Sequence, residues 1–472
     1  MGFTERHQLY TDDQLTASKE VLALCEREHL RLVRVVFADQ HGLLRGKTVT
    51  TGELPSILRD GLPIVSTLLS KDASGATVYR AFAPDGGVGM AEMAGAGDMI
   101  MVPDPGTFRV LDWVDDTGWL LCDLYFTNGE PVPFCGRGLL RRAVAQAAEL
   151  GYTVKTGAEL EFHLFAAPGA SPPGAPGAEA PVHPLNAGYQ LLCEDRADAL
   201  EPMVSIFARH LQRLGLPLRS IEVEFGPSQL EVTLGPQLGV EAADSVILLR
   251  NALKQVARRH GYHVTFMCRP NIPQVFSSGW HLHQSLLRGE DNAFVPDDPS
   301  EHLSAAGRNF LAGQLRHARA ASVFAVPTIN GYKRFRAYSM APDRVTWARD
   351  NRGAMLRITG SAADGSTHVE NRVGEPAANP YLYLATQLMA GLNGVAGGWE
   401  PGPAADEPYE TDAPQLPATL AEALDALEAD REFACLLGEA FTAYYLGIKR
   451  HEVSRFNAAV TDWEQHEYFE LF

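Results

Sequence analysis

Two histidines, His281 and His283, stand one residue apart in the stretch "SSGWHLHQSL" at 277–286. The surrounding residues are mainly apolar, as in a β-strand, and residues i and i+2 of a strand point to the same face. Both imidazole rings would then face one space, as a metal or phosphate site requires. The alternative is a hydrogen-bonded histidine pair on a half-exposed strand, and the spacing alone leaves both open.

Acidic side chains occur in other stretches of this kind. The glutamates are Glu159 and Glu161 in "GAELEF", Glu224 and Glu231 around a Gly-Pro turn in "VEFGPSQLEV", and Glu370 in "HVENR". Carboxylates on core-type strands are costly unless they are paired or bind a cation. A single pair is usually a partly exposed sheet face. The full set beside imidazole favours Mg²⁺ or Mn²⁺.

Arginines accompany the acids. Arg334 lies in "GYKRF", Arg352 and Arg357 lie in "NRGAMLR", and Arg372 ends "HVENR". Guanidinium groups bind phosphate or carboxylate in a planar fork. Metals that bridge phosphates, with arginines that stabilise transition-state charge, suit phosphoryl transfer. No GxxxxGK[ST] motif occurs, so a nucleotide site here is not a P-loop.

Composition narrows the class of protein. The 472 residues carry a net charge of −18, which argues against nucleic-acid or anionic-membrane partners because both need a basic surface. The six cysteines are scattered without a CxxC pair, as in a reduced cytosolic protein. The N-terminus has no signal pattern, and no run of about 18 apolar residues suggests a membrane span. We therefore expect a soluble cytoplasmic protein.

The elements that position these residues fall into two regions. Helical periodicity covers 17–31, and a strand, a turn at His41-Gly42 and a second strand follow. Short strands continue to "WLLCDLYF" at 119–126. Residues 1–130 are predicted to form a small α+β domain.

Residues 131–472 are predicted to form the second, larger domain. A helix ends at Gly151, the strand "GAELEFHLF" follows, and the Pro/Gly/Ala-rich segment 166–184 is predicted to be a surface loop. Further helices are expected near 197–214, 241–260, 301–321, 380–396, 418–429 and 432–460. The chain shows no internal repeat. Alternating helices and strands indicate an α+β or α/β class.

The ordered motifs resemble those of the glutamine synthetase family over nearly the whole chain. They are "GAELEF", "EFGPSQLEV", "GWHLHQSL", "FLAGQLRHARA", "NGYKRF", "NRGAMLRI" and "VENRVGEPAANPYLYLATQLMAGLNG". The resemblance implies an α+β fold with an N-terminal β-grasp domain and a catalytic domain built on a curved antiparallel sheet. It also implies stacked rings, such as a dodecamer, with each active site shared between neighbouring subunits.

The resemblance also implies roles for individual positions. Glu161, Glu224 and Glu231 match ligands of a first metal, and Glu159, His281 and Glu370 match those of a second; two or three Mg²⁺ or Mn²⁺ ions are implied per site. Contacts to ATP match His283, Ser285, Arg352 and Arg357. Arg334 and Arg372, with Ser277 and Gly279, match the region that holds glutamate and the transferred phosphoryl group; Arg334, Arg352 and Arg372 are the catalytic candidates. The implied reaction phosphorylates the γ-carboxylate of glutamate, and an amine then displaces phosphate.

The sequence departs from the family where ammonium binds. Met340 replaces a glutamate six residues after the arginine of "YKR", and Val65 or Ser66 replaces an aspartate from the neighbouring N-terminal domain. Losing two carboxylates removes both an attraction for ammonium and a base. The resemblance therefore points to an organic amine. We lean towards an aromatic or hydrophobic one, although Glu222 offers a remaining acid.

Three smaller departures concern the other substrates. Phe276-Ser277 replaces an Asn-Gly that helps to hold glutamate, so the acyl donor is less firmly implied. His368 replaces an arginine that contacts ATP. Tyr409 falls near a tyrosine that is adenylylated in some members, but its flanking residues differ and we interpret it as an ordinary loop residue.

Two other functions stay open at this point. One is an ammonia-using glutamine synthetase whose ammonium site uses other acids. The other is a non-catalytic relative with a structural or regulatory role, although six metal-binding positions have no purpose in a scaffold.

Overall fold

The protein is described by a computed structural model that covers residues 1–83, 86–167, 182–362 and 364–472. Within these ranges, none of the helices is both long and apolar enough to cross a membrane. The helices of the first domain are Phe3–Arg6 (α1), Asp12–Arg27 (α2) and Leu54–Asp60 (α3). Its strands are Leu32–Ala38 (β1), Leu44–Thr50 (β2), Leu62–Val65 (β3), Asp98–Pro103 (β4), Arg109–Val110 (β5) and Thr117–Phe126 (β6).

The first domain is a mixed sheet with strand order β2-β1-β6-β4-β3, and β5 pairs with β6. Strands β1 and β6 run parallel at its centre, whereas β1 and β2 form the predicted hairpin. Val33, Val35 and Phe37 alternate along β1 and are fully buried. Helix α2 adds Val21 and Cys25 to the same core. This arrangement confirms the expected β-grasp type of domain.

The second domain is larger. Its helices are Gly136–Glu149 (α4), Glu194–Arg213 (α5), Glu241–Arg259 (α6), Ala305–Arg316 (α7), Ala318–Ala325 (α8), Pro380–Gly397 (α9), Leu420–Ala429 (α10), Arg431–Leu437 (α11), Glu439–Ala458 (α12) and Asp462–Tyr468 (α13). Its strands are Thr153–Ala166 (β7), His183–Pro184 (β8), Leu218–Val223 (β9), Gln229–Leu238 (β10), Tyr262–Thr265 (β11), Trp280–Arg288 (β12), Asp291–Asn292 (β13), Trp347–Arg349 (β14), Leu356–Thr359 (β15) and His368–Asn371 (β16).

The second sheet has the order β14-β15-β16-β12-β7-β10-β9, and its pairs are antiparallel except β14 with β15. The long strand β7 lies at the centre, between β12 and β10. Helix α9 is buried along most of its length, and the side chain of Asn379 caps its first turn. The curved sheet carries the acids and histidines on one face. The α+β class is therefore confirmed.

Several predicted elements have different bounds. The helix predicted over 17–31 begins at Asp12 and ends at Arg27. The single helix predicted near 301–321 is interrupted at His317, whose backbone leaves the helical region at φ −97° and ψ 7°. Gly438, at φ 98°, separates α11 from α12 within the predicted helix 432–460.

The loop predicted over 166–184 is only partly described. Residues 168–181 lie outside the described ranges. At its end, His183 and Pro184 pair with β7, so this part is a short strand and the prediction was wrong there. The division between domains at 130 and 131 stays a prediction, and the chain between β6 and α4 contains that point.

Candidate active site

Strand register brings five of the six predicted metal ligands into rows across one sheet face, and the sixth, Glu224, directly follows β9. Cross-strand pairs join Glu222 to Glu231 and Glu231 to Glu161 in one row. The next row pairs Glu159 with His281, and the third pairs His283 with Glu370. Directly paired side chains lie about 5 Å apart at Cβ, and residues i and i+2 share a face. The spacing seen in the sequence therefore produces a diagonal band of acids and imidazoles.

Within this band, three side chains form a compact group. One ligand atom each of Glu159, Glu231 and His281 lies within 4.8 Å of the other two. The Nδ1 atom of His281 lies 2.6 Å from Oε1 of Glu159 and 3.9 Å from Oε1 of Glu370. The group draws on both ligand sets implied by the family resemblance, so the two predicted sets adjoin each other.

The electrostatics of the acids fit a divalent cation. Burial, together with the charge of Glu159, raises the pKa of Glu231 to about 11. Burial and the nearby Glu224 raise the pKa of Glu161 to about 8, and burial also raises the pKa of Glu224. Carboxylates that share a buried space raise each other's pKa unless a cation neutralises them.

The histidine supports the same conclusion. Burial, with Arg372 nearby, lowers the pKa of His281 and so favours its neutral, ligating form. Its Nε2 atom is buried and has no hydrogen-bond partner in the described part of the chain. Oxygen and imidazole donors of this kind suit Mg²⁺ or Mn²⁺, so the residues present fit the implied metals.

Arginines surround Glu370 at the far end of the band. Its carboxylate accepts from Nη1 of Arg372 at 2.5 Å and from Nη1 of Arg357 at 3.0 Å. Burial alone would raise the pKa of Glu370, but His281 and Arg372 bring it down to about 2. Arg357 also bonds to Asp350. Glu370 is therefore an ionised carboxylate held by cations on both sides.

Arg334 is fixed by the backbone. It is 7% exposed, and its Nη1 atom donates to the carbonyls of Arg372 and Val373 at 3.0 and 3.2 Å. Its guanidinium lies against Gly279, where an added Cβ would stand 2.6 Å from Nη2. Gly279, which has no side chain, therefore leaves room for the guanidinium of Arg334.

The band and the arginines border a cavity of about 630 Å³. The predicted residues that line it are Glu159, Glu161, Glu222, Glu224, Glu231, Ser277, His281, Arg334, Met340, Arg352 and Arg372. Met340 is 45% exposed and holds a left-handed backbone at φ 61°. The cavity thus brings five of the six predicted metal ligands, all except Glu370, together with predicted glutamate and amine residues of this domain.

A second cavity of about 460 Å³ shares Glu159 with the first. His283 and Ser285, two of the four predicted ATP contacts, line it together with His368, whereas Arg352 lines the larger cavity. The Nδ1 atom of His283 lies 2.9 Å from Nε2 of His368. This cavity is the candidate space for the nucleotide, which stays a prediction.

Two predicted amine-pocket residues are not brought to either cavity. Val65 ends β3 and is 37% exposed, whereas Ser66 is buried within the first domain. Their assignment concerned the N-terminal domain of a neighbouring subunit, so it stays a prediction.

Sequence reasoning missed several residues of the larger cavity. Tyr189, Phe225 and Arg269 line it, and Arg269 donates from Nη1 to Oγ of Ser277 at 3.0 Å. Phe225 directly follows the predicted metal ligand Glu224, and this position in the sequence could have identified it as a cavity residue. Tyr189 lies in a loop, so no helix or strand periodicity in the sequence indicates that it lines the cavity.

Comparison with known proteins identifies the family of the chain. A family profile described as "Glutamine synthetase, catalytic domain" matches residues 133–468. The chain belongs to the glutamine synthetase family.

Individual relatives within the family differ in their substrates. A γ-glutamylanilide synthase from an Acinetobacter species is 42% identical over 496 residues, covering 100% of this chain and 99% of that protein. A glutamine synthetase from Thermotoga maritima is 32% identical over 462 residues, covering 95% and 98%. The solved ADP complex of GmaS has 26% identity and a TM-score of 0.80, covering 95% of this chain and 99% of that one.

Proposed function

We propose that this protein is an ATP-dependent ligase that joins the γ-carboxylate of L-glutamate to an organic amine. The observation that carries the proposal is the cavity in which the acid and imidazole band meets Arg334 and Arg372, with Met340 in its wall. Similarity to a γ-glutamylanilide synthase over the full chain supports a carbon–nitrogen ligase of this kind. The ADP complex of GmaS supports ATP as the phosphoryl donor.

The residues suit a reaction in two steps. Bound Mg²⁺ or Mn²⁺ would be held by Glu161, Glu224 and Glu231 and by Glu159, His281 and Glu370, and would neutralise phosphate charge. Arg334 and Arg372 orient the γ-carboxylate for attack on the terminal phosphoryl group, with Ser277 and Gly279 beside them. Arg352 and Arg357 add positive charge near the phosphates, while His283 and Ser285 border the nucleotide. The resulting γ-glutamyl phosphate then reacts with the amine, which forms the amide and releases phosphate.

The amine end favours an apolar acceptor. Met340 places a thioether where an acid would attract ammonium, and an arylamine is largely neutral at pH 7 and needs no such acid. We therefore propose an aromatic or otherwise hydrophobic amine. Glu222 and Glu224 line the same cavity and favour the second candidate, an ammonia-using glutamine synthetase. A non-catalytic relative is the third candidate.

We further propose a cytoplasmic enzyme that assembles as a homo-oligomer of stacked rings. The exposed Val65 is then free to meet a neighbouring subunit, and Ser66 follows it in the chain. A neighbouring N-terminal domain would complete the amine pocket from outside this chain.

The deciding experiment measures ADP release with Mg²⁺-ATP and glutamate while the amine is varied. Ammonium, methylamine, isopropylamine, ethanolamine, putrescine and aniline would be compared, with mass spectrometry of the products. Turnover with an organic amine and little with ammonium supports the ligase. Strong turnover with ammonium identifies a glutamine synthetase, and no glutamate-dependent turnover contradicts the proposed reaction.

A further inference from the structure

Three aromatic rings form one wall of the larger cavity. The Phe225 and Phe276 rings stack with centroids 5.1 Å apart and an interplanar angle of 27°. The Tyr189 ring lies 6.1 Å from Phe225 and 6.4 Å from Phe276, tilted against both. All three side chains line the cavity that holds the acids and arginines. We call these three residues the aromatic wall.

The wall is built from three separate segments that are tied together. The backbone N–H of Gly188 donates to Oε1 of Gln274, and the backbone N–H of Gln190 donates to the carbonyl of Phe225. Tyr189 is therefore held from both sides against the loops that carry the other two rings. Such fixed rings bind an apolar ligand with little loss of conformational freedom.

Close backbone packing fixes Phe276. An added Cβ at Gly226 would stand 2.8 Å from Cβ of Phe276. The amide of Gln229 donates both to Glu161 at 2.7 Å and to Ser278 at 3.0 Å. The loop bearing Phe276 is thus connected to the acid band through hydrogen bonds.

The inner end of the wall touches the acids. The backbone N–H of Phe225 donates to Oε2 of Glu224 at 2.9 Å, so this carboxylate lies beside the backbone that carries the first ring, and both residues line the same cavity. At the outer end, Tyr189 is 48% exposed and Leu192 is 62% exposed, both lining the same cavity. An exposed apolar group of this kind beside polar residues marks a binding surface.

We propose that the aromatic wall of Tyr189, Phe225 and Phe276 binds the ring of an arylamine acceptor and sets the preference for it. This inference rests on the proposed ligase function and assigns its acceptor subsite. The Phe225 and Phe276 rings are too close for another ring to enter between them, so the acceptor packs on the faces turned to the cavity. Its nitrogen then lies towards Glu224, at the inner end of the wall.

The test compares Phe225→Leu and Phe276→Leu with wild-type protein and with Phe456→Leu, a matched change on α12. Leucine keeps an apolar side chain and removes the ring. ADP release with Mg²⁺-ATP and glutamate would be followed with aniline, with cyclohexylamine as a saturated ring, and with hydroxylamine as a small nucleophile. KM for glutamate would be measured in each variant.

We expect kcat/KM for aniline to fall about tenfold in each wall variant, the size of one lost aromatic contact. Hydroxylamine turnover, KM for glutamate and the Phe456→Leu control should stay within about twofold. A smaller effect on cyclohexylamine than on aniline supports ring stacking.

Other results overturn the inference. Unchanged aniline kinetics show that the wall does not bind the acceptor, and an equal loss with hydroxylamine shows a structural role. A raised KM for glutamate alone assigns the wall to the acyl donor. Wild-type turnover with alkylamines but not aniline removes the aryl preference while the ligase stands. No turnover of wild type with any amine or hydroxylamine contradicts the proposed function itself.

Discussion

In the proposed amine pocket, the charge at position 340 would decide between ammonium and a larger amine. We expect Met340→Glu to raise kcat/KM for ammonium about tenfold, because a carboxylate near the cation lowers its energy by a few kcal/mol before screening. The same change should lower kcat/KM for aniline, since it buries a charge against an apolar ligand. Steady-state kinetics with both amines checks this.

Met340→Leu is the matched control, because it keeps an apolar side chain of similar volume. It should leave the ratio of the two kcat/KM values nearly unchanged. Equal ratios in the Glu and Leu variants would show that position 340 does not select the amine.

Glu231 tests whether the acid band binds a metal. We expect Mn²⁺ to raise the melting temperature of wild type, since an ion present at 100 times its Kd stabilises the folded state by about 2.7 kcal/mol. Glu231→Gln removes a buried ligand and should lose most of this shift. Differential scanning fluorimetry with EDTA and with Mn²⁺ measures both.

The exposed acid Glu26 supplies the control for this experiment. Glu26→Gln should keep the full Mn²⁺ shift. If Glu231→Gln responds to Mn²⁺ as wild type does, the band is not the metal site, and the non-catalytic alternative gains support.

Among the elements, strand β12 has to be preceded directly by glycine. Gly279→Ala would place a Cβ 2.6 Å from Nη2 of Arg334 and 3.2 Å from Oε1 of Glu161. The guanidinium must move, so we expect kcat to fall about 100-fold, as a misplaced catalytic group causes, while stability falls by about 1–3 kcal/mol. Single-turnover ADP formation and urea unfolding measure the two effects.

Gly52→Ala is a suitable comparison, because its nearest neighbour would be Oγ1 of Thr50 at 3.9 Å. It should leave kcat unchanged. A fully active Gly279→Ala variant would mean that the Arg334 position does not control the reaction.

The loop between β16 and α9 contains an acid whose charge depends on pH. Glu375 is fully buried, and burial raises its pKa to about 7, although Lys449 and the N–H and hydroxyl of Thr328 favour the ionised form. Glu452 acts in the opposite direction. The folded state therefore keeps a proton that the unfolded chain releases near pH 4.3.

A raised folded-state pKa makes stability fall as pH rises through this window. We expect Glu375 to lower the free energy of unfolding by up to about 1.4 kcal/mol per pH unit between about pH 5 and pH 7. In Glu375→Gln, the free energy of unfolding should depend less on pH over this window than in wild type. The exposed control Glu20→Gln should keep the pH dependence of wild type. Urea unfolding at several pH values checks this, and parallel slopes in Glu375→Gln and wild type would contradict it.

The sequence predicted the acid and histidine pairs because side-chain direction in a strand has a fixed period of two. Glu159 with Glu161, and His281 with His283, were placed on common faces by spacing alone. Which strands neighbour each other depends on long-range pairing, so the aromatic wall was not predicted: Tyr189 and Phe276 lie far apart in the chain. Local backbone choices at His317 and Gly438 likewise broke helices that periodicity had joined.

At the scale of the whole molecule, the cavity of this chain lies entirely within residues of the second domain. Val65 ends a strand of the first domain and does not line that cavity. If the proposed rings form, the N-terminal domain of a neighbour supplies the missing part of the amine pocket. A homo-oligomer about twelve times the chain mass of 51.4 kDa is then expected in light scattering.

Mixed oligomers test the shared site directly. Glu231→Gln disables the metal side of a site and Val65→Arg should block the amine side, so neither variant alone should turn over aniline. In a co-expressed equal mixture, about one quarter of shared sites combine an intact second domain with an intact neighbouring first domain, and that share of wild-type activity should return. No recovery, despite mixed oligomers in native mass spectrometry, would show that each chain completes its own site. An active Val65→Arg variant would remove Val65 from the amine pocket.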